Sequence, residues 1–238
     1  MKTDLFQVVI LAGGLATRLR PTTEKIPKSL MDINGEPFIV HQLRLLKQKG
    51  IREIVICVGY LGDQIINVIG DGKEYGVNVV YSWDGPQLLG TAGAIKQAMH
   101  CLNDSFFVLY GDSYLPCDYK NAQTAFINSQ KLALMTVFRN SGQWDTSNVE
   151  FVNGEIGVYD KVNRTPRMQY IDYGLGIFNK QVFNEVPNDQ PYDLALLYQK
   201  LLAEQQLAAF EVVERFYEAG SFAGINELEY YLSSYKVY

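Results

Sequence analysis

Short apolar runs alternate along the first half of the chain with segments in which apolar residues recur every three or four positions. The apolar runs predict five strands, at 7–12, 53–58, 77–82, 105–111 and 132–138. The helical period is seen at 37–50, 62–70 and 91–102. Strands that alternate with helices predict an α/β fold with a doubly wound, mainly parallel (mixed) sheet and helices on both faces. Ligands bind such a sheet at the carboxyl ends of its strands.

After about residue 140 the pattern becomes richer in strands. The stretch 148–161 predicts a hairpin, because Asn153-Gly154 is a dipeptide that tight hairpin turns prefer. Further elements are expected as strands at 168–178 and 207–213 and as helices at 192–205 and 224–233. Since no repeat, low-complexity tract or linker is visible, we interpret residues 1–238 as one domain with a strand-rich second part.

Composition excludes several classes of function. The 238 residues carry a formal net charge of -5, and a basic surface is what nucleic acids and anionic membranes attract. No stretch approaches the ~20 apolar residues of a membrane span, and the first apolar run is too short for a signal peptide. Three cysteines are too few for a disulfide framework. We therefore expect a reduced, cytoplasmic protein that binds neither nucleic acid nor membrane.

A glycine pair, Gly13 and Gly14, directly follows the first predicted strand. Glycines there let the backbone approach a ligand and turn its N–H groups toward phosphate oxygens. Two cations follow, Arg18 and Lys28, which are suited to clamping and neutralising phosphates. The spacing fits neither the P-loop nor the dinucleotide fingerprint. A phosphate-bearing ligand of another kind is therefore expected.

The stretch LAGGLATRLRPTTEKIPKSL at 11–30 resembles the signature of the sugar-1-phosphate nucleotidylyltransferases, the nucleotidyl transferase family of pyrophosphorylases. The resemblance continues through LLGTAGA, YGDS, YDK, DYGLGIF and FYEAGS, and so covers nearly the whole chain. It implies a single Rossmann-like nucleotidyltransferase domain. Residues up to about 140 would bind the nucleotide, and about 141–238 would form the sugar-binding and C-terminal part.

The resemblance implies that a sugar 1-phosphate attacks the α-phosphorus of a nucleoside triphosphate, giving a nucleotide sugar and pyrophosphate. An ionised phosphate needs no general base, in agreement with a chain whose two histidines lie in predicted helices. Arg18, Lys28 and Asp112 are the expected catalytic residues. The expected nucleotide-binding residues are Leu11, Ala12, Gly13, Gly14, Thr17, Arg18, Lys28, Asp84, Gln87, Gly90, Thr91 and Ala92.

A magnesium site is expected at the same edge of the sheet. Asp112 follows the fourth predicted strand, and Mg²⁺ bound to phosphates takes one or two carboxylates from a protein. In the resembling family an Asp in a W-x-D-x-G-T-like segment supplies the second ligand. The matching segment here places Glu218 at that position, with Ser221 where Thr is commoner. We therefore expect Asp112 and Glu218 to hold Mg²⁺.

The sugar site is implied in the second part of the chain. Lys161 matches the lysine of the family's E-K-P segment, although Asp160 replaces its Glu and Val162 replaces its Pro. Carbohydrate hydroxyls need paired donors and acceptors. The expected sugar-binding residues are Asp112, Asn148, Asp160, Lys161, Asp172 and Gly174.

The base and the sugar stay open at this point. Asp84 is compatible with guanine, whose Watson–Crick edge offers two N–H groups to a carboxylate. The local segments LGTAGAIK, YIDYGL and YEAGS most resemble guanylyltransferases acting on heptose or mannose 1-phosphates, so GTP and D-glycero-α-D-manno-heptose 1-phosphate are expected. Mannose 1-phosphate with GTP and N-acetylmuramate 1-phosphate with UTP are the alternatives.

A rival class is a non-catalytic nucleotide-sugar-binding module on the same fold. Such a module would be expected to lack Arg18, Lys28 or Asp112, all of which are present. A dinucleotide reductase would need a third glycine, and a kinase or NTPase would need a Gly-Lys-Ser/Thr loop. The expected partners are therefore small-molecule substrates, with a homodimer left open.

Overall fold

A nine-stranded mixed sheet forms the centre of the molecule. The computed structural model of the chain describes residues 4–15 and 21–234. The strands of the sheet are β1 (Gln7–Leu11), β4 (Glu53–Val58), β5 (Asn78–Trp83), β6 (Ser105–Tyr110), β8 (Ala133–Arg139), β9 (Val149–Val152), β10 (Glu155–Tyr159), β11 (Tyr170–Asn179) and β12 (Leu207–Val212). Two short pairs lie outside it: β2 (Asp32–Ile33) with β3 (Glu36–Pro37), and β7 (Ser113–Tyr114) with β13 (Tyr217–Glu218).

The strand order places β1 between β4 and β6, with β5 at the edge beside β4. These four strands are parallel, whereas β11 joins β6 in the antiparallel direction and connects to β8 and β9. The chain therefore adds β4 and β5 on one side of β1 and then β6 on its other side. Such a reversal opens a crevice at the carboxyl ends of the strands. The prediction of a Rossmann-like, doubly wound mixed sheet is confirmed.

Helices cover both faces of the sheet. They are α1 (Phe38–Gln48), α2 (Gly62–Ile69), α3 (Gly90–Gln97), α4 (Tyr119–Ser129), α5 (Leu194–Ala203) and α6 (Phe222–Ser234). Alternate residues of β1 supply the two sides: Val8 packs in the cluster that contains α1, α2 and α4, and Val9 packs in the cluster that contains α3 and α5. Because β1 is buried on both faces, its residues 8–11 form an unbroken apolar run.

Two local features shape the second half of the chain. The predicted hairpin is confirmed as β9–β10, with positive φ of 53° at Asn153 and 85° at Gly154. In β11, the register with β8 shifts between Asp172 and Gly176, and Gly174 adopts a φ of 97°. The bulge bends β11 where it passes the end of β6, and bulges of this kind commonly re-aim side chains beside active sites.

The structure also contains elements that the sequence pattern did not indicate. Helix α4 carries many polar residues and is held at its start by Asp118, whose side chain accepts a hydrogen bond from Asn121 N at 3.0 Å. The helix expected over 91–102 begins at Gly90 and becomes a 3₁₀ turn at Ala98–Cys101. Within the described residues, no helix is long and apolar enough to cross a membrane.

Candidate active site

A cleft opens at the carboxyl end of β1, between the glycine loop, the start of α3 and the β6–β7 turn. Nine of the residues predicted from sequence line it: Leu11, Ala12, Gly13, Gly14, Lys28, Asp84, Gly90, Thr91 and Asp112. Gln87 and Ala92 are absent from this lining, as far as the described residues show. Gln87 is exposed and donates to the Asp189 carbonyl, and Ala92 is buried in the core. Thr17 and Arg18 lie outside the described residues.

The glycine loop lies flat against the end of β4. Ala12 N donates to Cys57 O at 2.9 Å, which continues the parallel ladder past the end of β1. A Cβ at Gly13 would lie 3.0 Å from Gly59 N, so a side chain there would force the two loops apart. A Cβ at Gly14 would have no neighbour within 4 Å, which leaves this part of the loop open toward the cleft.

Lys28 and Asp112 meet across the cleft. Lys28 lies in a 3₁₀ turn that follows Pro27, and its ammonium forms an ion pair with Asp112 Oδ2. The two side chains are 16% and 27% exposed, so the pair can be reached by a ligand yet is partly screened from water. The main chain of Asp112 is also fixed, because its carbonyl accepts a hydrogen bond from Ala219 N at 2.8 Å.

Glu218 lies beside this pair because β13 pairs with β7, where Glu218 stands opposite Ser113. One carboxylate oxygen accepts a hydrogen bond from Gly220 N and the other accepts one from Ser221 Oγ at 2.6 Å. A Cβ at Gly220 would collide with Glu218 and would lie 2.6 Å from Lys28 Nζ, and a Cβ at Gly224 would also collide with Glu218. The longer arm of a glutamate thus occupies space that two glycines leave free.

The donor set suits a hard cation bound together with phosphates. Asp112 lies in the turn directly before β7 and Glu218 lies on β13, the strand paired with β7. Mg²⁺ typically takes one or two carboxylates and completes its shell with substrate oxygens and water. Among the described residues, no cluster of three or more potential ligands from His, Cys, Asp and Glu is present. A cation here would therefore depend on phosphate oxygens for most of its ligands.

The residues predicted for the sugar lie around the bulge of β11. Asp172 accepts hydrogen bonds from Gly174 N at 3.1 Å and from the Tyr159 hydroxyl at 3.3 Å. Burial raises the pKa of the Asp172 carboxyl. The charge of Lys161 and the two hydrogen bonds partly lower it again. Asn148 Oδ1 accepts a hydrogen bond from Asp172 N at 2.9 Å and so fixes the bend in the strand.

The side chains of Lys161 and Asp160 have different surroundings. Lys161 Nζ lies 5.7 Å from the centroid of the Tyr110 ring, and Tyr110 lines the cleft. The Asp160 carboxylate instead accepts hydrogen bonds from the backbone of Val162 and Asn163 at 2.7 and 2.8 Å. Those bonds lower the pKa of Asp160. The structure thus places Lys161 toward the cleft and Asp160 in the turn that carries it.

The predicted base-binding segment is braced by a distant loop. Leu89 O accepts from Tyr192 N at 2.8 Å, and Ala92 N donates to Tyr192 O at 2.9 Å at the start of α3. Asp84 is 8% exposed and accepts a hydrogen bond from Leu89 N at 3.3 Å. Burial raises the pKa of the Asp84 carboxyl, and the Leu89 bond lowers it.

Sequence reasoning missed several residues of the cleft wall: Ser29, Cys57, Leu88, Ala94, Tyr110 and Gly111. None of these residues carries a charge or a phosphate-binding pattern that would have singled it out in the sequence. Tyr110 and Gly111 could have been found from their place directly before Asp112, since the turn that presents a carboxylate also presents its neighbours.

The chain is similar to known proteins over most of its length. The sequence model of a family described as "Nucleotidyl transferase" matches residues 7–217. A D-glycero-alpha-D-manno-heptose 1-phosphate guanylyltransferase from Campylobacter jejuni is 31% identical over 180 residues, which are 75% of this chain and 78% of that protein. An N-acetylmuramate alpha-1-phosphate uridylyltransferase from Neisseria meningitidis is 45% identical over 121 residues, 50% of this chain. That match spans 52% of the relative, about half of its length.

Among solved structures, HddC from Yersinia pseudotuberculosis complexed with GMP-PN superimposes with a TM-score of 0.78 and 25% identity. The superposition covers 96% of this chain and all of that one. The likeness therefore extends over both halves of the molecule.

Proposed function

The chain belongs to the nucleotidyl transferase family, and on that premise we propose that it transfers a nucleoside monophosphate from a nucleoside triphosphate to a sugar 1-phosphate. The observation that carries this proposal is the meeting of Lys28 and Asp112 beside the open glycine loop. A cation and a carboxylate at one point of the cleft suit charge neutralisation at reacting phosphates more than simple binding of a ligand. This supports an enzyme over a non-catalytic binding module.

In the proposed reaction, an oxygen of the sugar phosphate forms a bond to the α-phosphorus as the bond from that phosphorus to the bridging oxygen breaks. Pyrophosphate leaves with the bonding electrons. Catalysis then consists of alignment and charge neutralisation. The Lys28 ammonium would neutralise charge on the reacting phosphates, and the backbone at Gly13 and Gly14 would bind the triphosphate together with Arg18. The histidines take no part, since His41 and His100 contact nearby backbone carbonyls.

Asp112 and Glu218 are the residues that would hold Mg²⁺. When bound, the ion would offset the negative charge of the phosphates. Asp112 has a second role, because it orients Lys28 through their ion pair. Glu218 is held by Gly220 and Ser221, so its carboxylate is fixed before any ligand arrives.

We infer that the nucleotide is GTP and the sugar D-glycero-α-D-manno-heptose 1-phosphate. Support comes from Asp84 in the cleft, from the heptose guanylyltransferase relative and from the fold match to a protein complexed with GMP-PN. UTP with N-acetylmuramate 1-phosphate is the second candidate, favoured by the 45% identity over half of this chain. Mannose 1-phosphate with GTP is the third.

The two halves would divide the work. Residues up to about 140 would bind the nucleotide, and 141–238 would bind the sugar, with Lys161 on its phosphate and Asn148, Asp172 and Gly174 near its hydroxyls. A cytoplasmic location is proposed because Cys57, Cys101 and Cys117 are free thiols.

Pyrophosphate release with Mg²⁺ tests the proposal across GTP, UTP, CTP, ATP and dTTP against heptose, mannose, glucose and N-acetylmuramate 1-phosphates. We expect GTP with the heptose phosphate to give the highest kcat/KM. A preference for UTP would overturn the assignment of Asp84 to guanine. Absence of release with all pairs, in a protein that still binds a nucleoside triphosphate, would contradict the proposed acceptors; absence of binding as well would contradict the enzyme.

Replacing Glu218 with glutamine is expected to raise the Mg²⁺ concentration for half-maximal activity by about tenfold, since a neutral amide is a weaker ligand for a hard cation. The measurement is a Mg²⁺ titration of initial rates with the best substrate pair. Glu214→Gln, an exposed glutamate four residues earlier, is the matched control. If Glu218→Gln loses thermal stability but keeps the wild-type Mg²⁺ dependence, Glu218 only fixes the turn before α6 through its bonds to Gly220 and Ser221.

A further inference from the structure

Helix α1 carries one polar residue on its buried face. Phe38, Ile39, Leu43 and Leu46 of this helix pack in the core, and Gln42 is among them at 2% exposure. A glutamine at a core position breaks the apolar pattern that builds the rest of the face. Such local exceptions are expected at functional or strained positions.

The Gln42 amide binds the backbone of the β6–β7 turn on both sides of Asp112. Its Nε2 donates to Tyr110 O at 3.0 Å and to Ser113 O at 2.7 Å, so the two bonds span the residues Gly111 and Asp112. On the other side of the turn, Gly111 N donates to Leu11 O at 2.9 Å. The turn that carries Asp112 is therefore tied both to α1 and to the base of the glycine loop.

Burying the Gln42 amide in the core has an energetic cost. Gln42 Oε1 is buried and accepts no hydrogen bond from any described residue. A buried acceptor without a partner loses its hydrogen bond to water and gains none in return. An apolar residue would avoid that cost, but it would leave the two turn carbonyls without this donor.

We propose that Gln42 is a positioning residue, which fixes the β6–β7 turn so that the Asp112 carboxylate stands at the reacting phosphates. Gln42 does not line the cleft and binds only backbone carbonyls on either side of Asp112. The catalytic part of this inference rests on the proposed function. A misplacement of about 1 Å at such a group lowers rates by up to about 10²-fold.

The test uses Gln42→Met, which keeps the volume and removes the donors, with Gln123→Met as the matched control. Gln123 is 3% exposed and likewise binds backbone, accepting from Phe6 N and donating to Asp4 O, far from the cleft. Amide hydrogen exchange by mass spectrometry would follow peptides covering 110–115 and 217–220. We expect faster exchange there in Gln42→Met only, with kcat lowered about 10- to 100-fold and the Kd for the nucleotide within threefold of wild type.

Gln42→Glu adds a readout that a purely structural role would not move. A buried glutamic acid has a raised pKa, and only its protonated form can donate to a carbonyl. The kcat of this variant relative to wild type is therefore expected to fall as pH rises from 6 to 9. Wild-type exchange in the two peptides, or loss of kcat equal in both Met variants, would refute the proposal. If wild type is inactive with every substrate pair, the proposed function fails, and the exchange rates still decide whether Gln42 holds the turn.

Discussion

Asp112→Asn is expected to lower kcat for pyrophosphate release by about 10³-fold, which corresponds to about 4 kcal/mol of transition-state stabilisation. The substitution keeps the size of the side chain and removes the charge that orients Lys28 and would bind Mg²⁺. Because the ion pair is partly exposed, its loss should change the free energy of unfolding by about 1 kcal/mol or less. Single-turnover rates with the best substrate pair and thermal unfolding would be measured together.

The matched control is Asp104→Asn. Asp104 is exposed and precedes β6, so it stands at the opposite end of the strand that presents Asp112. We expect wild-type rates for this variant. A rate for Asp112→Asn within tenfold of wild type would show that the carboxylate is not part of the catalytic machinery.

Lys28→Met is expected to lower kcat by about 10²- to 10³-fold, the range found when a preorganised electrostatic group is removed. Methionine keeps most of the aliphatic stem that packs near Gly220 and removes only the ammonium. Loss of rate should exceed loss of nucleotide affinity, because charge at the reacting phosphates rises in the transition state. Steady-state kinetics and calorimetric nucleotide binding separate the two effects.

Lys25→Met serves as the control, since Lys25 is an exposed lysine in the same segment. Equal effects of the two substitutions would mean that the segment contributes only diffuse positive charge. Combining Lys28→Met with Asp112→Asn should cost less than the sum of the single effects, because each variant already disrupts their ion pair.

The central strands of the sheet could be predicted from sequence because they are buried on both faces. Residues 54–58 then appear as an unbroken apolar stretch, and the predicted strand 53–58 has the bounds of β4. Helix α4 escaped because its apolar residues are sparse and its start depends on the Asp118 cap. A cap is a single short contact, and periodicity over a window cannot register it.

The site residues separate in the same way. Gly13, Lys28 and Asp112 could be predicted because their chemistry and their place after strands both point to phosphates. The sequence could not show whether Asp160 and Gln87 face a ligand. In the structure, Asp160 binds the backbone of its own turn and Gln87 donates to the Asp189 carbonyl. Gln42 could not be predicted from its neighbours in the sequence, because its contacts lie 68 residues away, at Tyr110.

Positions 218, 220 and 224 are sterically coupled. A Cβ at 220 would overlap the carboxyl group of Glu218, and a Cβ at 224 would overlap both that carboxyl group and the backbone carbonyl of Glu218. Because the backbone carbonyl is the same whichever acid stands at 218, the start of α6 needs glycine at 224 to pack against this segment. A substitution at 224 would therefore displace the candidate metal ligand without changing any residue of the cleft.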